Sequence, residues 1–152
     1  MSARVISHGR ERRWNIVQKR KKYVEIEADN GTVVRYVRHE NGGGLVDASA
    51  TVDRTAFVEA TAYVESGATV RPGARILTGA WVDCDAEVRE DAVVGSAAHV
   101  GPRAVIGRAA RLGPRVKVGA DARVGAGVRL GPDAVVPERR RLPSHPSTRA
   151  AA

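Results

Sequence analysis

Aromatic side chains are scarce in this chain: one Phe, two Trp and three Tyr among 152 residues. A broad sandwich or bundle core normally leans on several such rings for buried area, so the interior must be narrow and filled by smaller side chains. Cysteine is nearly absent too. The lone Cys84 excludes an intramolecular disulfide framework and a cysteine-based metal cluster. Long apolar runs are missing: no stretch could span a bilayer, and the basic N-terminus lacks the apolar centre of a secretory signal. These absences lead us to expect a protein without a membrane partner, either cytoplasmic or incorporated in a virus particle. At this length the chain is one modest domain with appendages rather than two domains.

What is present is a beat. Every sixth residue from Val46 to Val136 is Val, Ile or Leu, and the residue four places after each of them as far as Leu130 is Ala or Val, as in Ala50, Ala56, Ala62, Val116 and Ala134. A period of six fits neither a helix nor a plain two-residue alternation. It fits short strands joined by corners and stacked so that each unit buries its apolar residues on its neighbours. Pro72, Pro102, Pro114 and Pro132 fall only in the corners, where no ladder hydrogen bond is lost. Pro72-Gly73 predicts a turn in which Pro presets φ and Gly takes the positive φ.

Four segments follow. Residues 1–22 form a basic arm carrying Arg10, Arg12, Arg13, Lys19, Arg20, Lys21 and Lys22 around Trp14. Residues 23–44 hold two β-rich runs either side of Asn30-Gly31, which predicts a β-hairpin with a type I′ turn capping the first coil. Gly42-Gly43-Gly44 reads as a flexible corner. Residues 45–137 are the repeat region, and residues 138–152 a basic tail rich in Pro, Ser and Ala. Charge is segregated. Residues 1–44 carry ten Lys/Arg against five Asp/Glu, residues 45–92 four against nine, and residues 93–137 seven against two. Such asymmetry steers association with charged partners.

The units, from Val46-Asp47-Ala48-Ser49-Ala50-Thr51 to Leu112-Gly113-Pro114-Arg115-Val116-Lys117, resemble the hexapeptide repeat. That resemblance implies an all-β fold: a left-handed parallel β-helix of about five coils, three strands to a coil, here capped by the hairpin. It also implies a homotrimer, and many members are acyltransferases that use a histidine near a corner as general base. In this repeat region the single histidine, His99, is expected on a flat face, and no loop interrupts the beat. The metal-dependent members need three histidines, so no metal is expected. The entry Arg35-Tyr36-Val37-Arg38 followed by Gly42-Gly43-Gly44 resembles small non-catalytic bacterial and phage-encoded members.

At eighteen residues per coil, outward positions stack as Leu45, Tyr63, Trp81, His99, Lys117, Val135 on one face and Phe57, Arg75, Val93, Arg111, Arg129 on another. Leu45, Tyr63, Trp81, His99 and Val135 are the expected trimer interface, because exposed aromatics on a flat face mark contact surfaces. Arg75, Arg111 and Arg129, with the cations of the arm, are the expected sites for an anion or an acidic protein partner. The expectation for function is therefore a non-catalytic trimeric scaffold, such as a virion accessory or decoration component, with no cofactor. The alternatives are an acyl-CoA-dependent acyltransferase with an atypical site at His99, and a sequence-blind nucleic-acid or polyanion binder working through residues 1–22.

Overall fold

A computed structural model describes residues 4–6, 23–27 and 30–144. Every element there is a strand. β1 (Arg4–Ile6), β2 (Tyr23–Glu27), β3 (Val33–Arg38) and β4 (Leu45–Asp47) are followed by short strands from β5 (Thr51–Val52) to β20 (Arg141–Leu142). Each later strand is one outward residue and one inward Val, Ile or Leu, the smallest unit that both pairs and buries a side chain. Strands pair in parallel with the strand eighteen residues on, so Trp81 lies beside His99 and Val82 beside Val100. Three sheets result. The first face carries Leu45, Tyr63, Trp81, His99, Lys117 and Val135, the second Thr51 to Arg141, and the third Phe57 to Arg129. The stacks inferred from the period are the observed stacks.

The core is two interleaved ladders, Val/Ile/Leu and Ala/Val. From Ala56 to Val124 its members are fully or almost fully buried, without one aromatic among them. No buried side-chain nitrogen or oxygen lacks a hydrogen-bond partner among the described residues. Corners are held by the backbone. Gly67, Gly73, Gly79 and Gly127 adopt positive φ, as the turn chemistry predicts, but so do Asp85, Asp91, Ala97, Arg103, Ala109, Arg115, Asp121, Asp133 and Arg139. A left-handed residue with a side chain costs on the order of 1 kcal/mol. The stacked corner offsets this with a hydrogen bond from its N–H to the corner above, as from Arg103 to the Cys84 carbonyl at 3.0 Å and from Asp121 to the Pro102 carbonyl at 2.9 Å.

The first coil solves its corners differently. Ser49, Thr55 and Thr61 occupy the equivalent positions without a positive φ. Their hydroxyls donate to Asp47, Asp53 and Glu59 two residues before, at 2.6–2.8 Å. The same hydroxyl oxygens accept the N–H of Gly67, Gly73 and Gly79 from the coil below. Donors from Thr55 and Thr61 hold the carboxyls of Asp53 and Glu59 below their usual values. A folded carboxyl whose pKa is depressed adds stability above its unfolded pKa, and that stability is lost as pH falls through the folded value. Thr61→Val should therefore lower the thermal midpoint at pH 7, and the gap to wild type should narrow below about pH 4. A gap that is independent of pH would remove Glu59 from the account.

Four expectations need correction. The hairpin register pairs Tyr23 with Val37 and Glu27 with Val33, which centres it on Asn30 and leaves an odd-length connection. A two-residue type I′ turn cannot close such a register. Gly31 has φ +90° while Asn30 has no positive φ, and the Thr32 N–H donates to Asn30 Oδ1 at 2.9 Å. Gly42-Gly43-Gly44 is a close-packed crossing and not a flexible corner. The Gly44 N–H donates to the Val58 carbonyl at 2.9 Å, and a Cβ at Gly44 would meet the Val58 side chain. The segment 1–22 is not wholly an arm, because β1 pairs antiparallel with β2 and so enters the first sheet. Finally, the beat does not stop at residue 137: Leu142 keeps it, and β20 pairs Arg141 with Arg123.

Candidate active site

The hairpin extends the first sheet upward, with Tyr36 paired to Asp47 and Arg38 to Leu45. Leu45 is buried within its own chain, whereas Tyr63 (37%), Trp81 (43%) and Val135 (67%) are exposed. Beside this column runs a second one, at the residue following each inward aliphatic: Asp47, Glu65, Asp83, Gly101 and Gly119. Three carboxylates descend to Asp83 and then stop at glycine. Gly101 is required there, since a Cβ would lie 2.7 Å from the Val118 carbonyl oxygen.

His99 sits where the acids end. Its Nε2 is 3.1 Å from Asp83 Oδ2, so the ring leans from the flat face toward the corner. It stacks on Trp81 at 4.3 Å between centroids and 20° between planes. The Trp81 indole N–H donates to Glu65 Oε2 at 3.0 Å, and the Tyr36 hydroxyl donates to Glu65 Oε1 at 2.8 Å. Tyr36 in turn meets Tyr63 edge-on at 5.6 Å. Burial pushes the Glu65 carboxyl up against the opposing pull of these two donors, and Asp83 and Asp47 push it further. Burial and Glu65 likewise push the Tyr36 hydroxyl upward, so it stays a donor.

This arrangement is chemically specific. An Nε2–H bonded to a carboxylate fixes the imidazole tautomer and leaves Nδ1 as a base, and no described group bonds Nδ1. The other histidine of the described region, His39, is structural: its Nε2 bonds the Ala56 carbonyl at 2.8 Å.

The expected anion sites separate. Arg10, Arg12, Arg13, Lys19, Arg20, Lys21 and Lys22 lie outside the described residues. Arg75 sits over the Phe57 ring at 5.5 Å and is divided from Arg111 by Val93. Arg111 and Arg129 are neighbours in register, as are Arg123 and Arg141, and Lys117 lies directly below His99. Arg103 and Arg115 are committed to two-pronged pairs with Asp121 and Asp133.

Residues 103–138 match the bacterial transferase hexapeptide (six repeats) family model. No curated protein matches the chain by sequence. Among solved structures, the chain is similar to a variant of the GDP-perosamine N-acetyltransferase from Caulobacter crescentus in complex with CoA and GDP-perosamine. Identity is 29% over 65% of this chain and 49% of that one, with a TM-score of 0.60. It is also similar to PerB from the same organism, with the same two ligands, at 28% identity over 66% and 50% with a TM-score of 0.60. The acetyltransferase domain of PglB from Neisseria gonorrhoeae is similar at 23% identity over 67% and 55%, with a TM-score of 0.40. This chain thus spans about half the length of the first two.

The comparisons overturn the non-catalytic scaffold, and with it the virion accessory role: the neighbours are acetyltransferases. Their ligands are CoA and a nucleotide sugar, in place of the acidic protein partner expected for the arm. With fifteen unbroken six-residue steps between Val46 and Val136, parallel pairing at eighteen residues and the matching family model, the chain belongs to the hexapeptide-repeat superfamily of left-handed parallel β-helices.

Proposed function

We propose that this chain is the β-helical part of an acyl-CoA-dependent acyltransferase whose acceptor is an amine, with His99 as general base. The observation that carries this reading is the His99–Asp83 hydrogen bond at 3.1 Å, located where the acidic column ends. Likeness to acetyltransferases that hold CoA and GDP-perosamine supports the class of donor and acceptor. In this scheme Asp83 holds Nε2–H, and Nδ1 takes the proton that the amine nitrogen loses as it attacks the thioester carbonyl. The amide forms as the C–S bond breaks, and the proton passes to the departing thiolate sulfur.

Charge supports the orientation of the two substrates. Asp47, Glu65 and Asp83 lie above His99 and favour a cationic amine. Lys117 lies directly below it, with Arg111, Arg129, Arg123 and Arg141 in the lower coils, where the phosphates of CoA would find cations. The exposed Tyr63, Trp81 and Val135 form the self-association face, which brings a second subunit to the edge of the histidine.

The test is calorimetric binding of CoA, followed by thiol release from acetyl-CoA with a panel of amino-sugar nucleotides. Micromolar CoA binding and turnover with at least one amine are expected. Binding that is absent at millimolar CoA, with no turnover on any amine, overturns the reading.

A further inference from the structure

One bond does not orient a ring. The Asp83 carboxylate fixes the position of His99 Nε2, yet the imidazole can still pivot about that contact and sweep Nδ1 through an arc. A second constraint is needed to set the plane. The Trp81 indole supplies it, lying nearly parallel to the imidazole.

Within one chain the indole must itself be held, because Trp81 is 43% exposed there and its own chain packs only part of the ring. Its N–H is fastened to Glu65, and Glu65 uses its other oxygen on Tyr36. A carboxylate with both oxygens engaged by donors works as a tether and not as a base. Tyr36 comes from β3 in the hairpin, it is 7% exposed, and its edge contact with Tyr63 fixes the direction of its hydroxyl. A line of three contacts, Tyr36 to Glu65, Glu65 to Trp81 and Trp81 to His99, therefore joins the cap to the histidine.

We propose that Trp81 is a positioning residue for His99, and that the N-terminal hairpin completes the site by locking Trp81 through Tyr36 and Glu65. Its relevance to turnover rests on the acyltransferase reading; its structural content does not.

The experiment is proton–carbon NMR of the imidazole of His99 in the full chain. In wild type the indole ring current should displace the imidazole proton resonances upfield. Tyr36→Phe keeps the ring and its contact with Tyr63 but removes the hydroxyl that holds Glu65. It should abolish much of that displacement while leaving the methyl resonances of buried Val118 and Val124 in place. Glu65→Gln cuts the same tether from the other side and should act in the same direction, so one variant that fails to fold does not decide the matter. Trp81→Leu should abolish the displacement altogether.

In turnover, Tyr36→Phe should lower kcat by about tenfold, within the range that a small misplacement of a catalytic group costs, with KM for the donor unchanged. His99 resonances that are identical in wild type, Tyr36→Phe and Glu65→Gln overturn the proposal, as does a fall confined to KM. Resonances that move as expected in a protein that transfers no acyl group leave the positioning intact and sink the acyltransferase reading alone.

Discussion

Val100→Asp should abolish folding of the repeat region. Val100 is fully buried, with Val82 stacked above it and Val118 below. The space between them is lined by small apolar side chains, and the core contains no polar side chain that could meet a carboxylate. Burying a polar group without a partner costs several kcal/mol, and a charge more, against a stability of only about 5–15 kcal/mol for a whole domain. Relief by relaxation is small, since each coil is clamped by the coils on either side. Val105→Asp is the matched control. Val105 faces outward on the second face, between Glu87 and Arg123, so the new charge has water and a cation beside it. That change should stay within about 1 kcal/mol of wild type. Circular dichroism and soluble yield distinguish the two, and equal thermal midpoints would remove the assignment of inside and outside.

How much of this was legible in the sequence follows from how many residues each feature needs. The coil stack needs only a period, and the period survives every substitution among Val, Ile and Leu. The corner at Pro72-Gly73 was legible because Gly73 is there for its φ. The corners at Asp85 or Arg103 were not, because their left-handed conformation is imposed by the N–H reaching the corner above and not by the residue itself. The hairpin turn was misread because Asn-Gly is a local signal, whereas the register is set by Tyr36, Val37 and Arg38 pairing with Asp47, Val46 and Leu45. Leu142 was hidden by the arginines and Pro143 around it, although it keeps the six-residue beat.

The site could have been found from the same period. Trp81 reaches Glu65, His99 reaches Asp83, and Arg71 reaches Glu87, each across sixteen residues. An eighteen-residue stack places the residue sixteen back just past the strand of the coil above, at the entry to its corner and next to the outward side chain. Reading the faces only as vertical columns missed these diagonals and left His99 looking like an isolated surface histidine. Tyr36 was out of reach by any such rule, since the antiparallel hairpin lies outside the repeat. The absence of an extruded loop carried too much weight in the functional expectation, because a groove between subunits needs no loop to hold a base and a carboxylate.

His99→Ala should lower kcat for acyl transfer by about 10²–10⁴-fold, the usual contribution of a positioned general base, with the affinity for CoA little changed. His99 is a third exposed and fills no part of the buried core, so the thermal midpoint should hardly move. Asp83→Asn separates base from orienter. The amide can accept from Nε2–H through its oxygen, or turn its NH₂ toward Nε2 and stabilise the tautomer that carries the proton on Nδ1. In the second arrangement the nitrogen facing the acceptor is no longer a base. Activity should therefore fall in Asp83→Asn, but by less than in His99→Ala, and the double variant should be no worse than His99→Ala because both act through one group. Transfer retained within tenfold in His99→Ala, or losses that simply multiply in the double variant, would place the working base elsewhere.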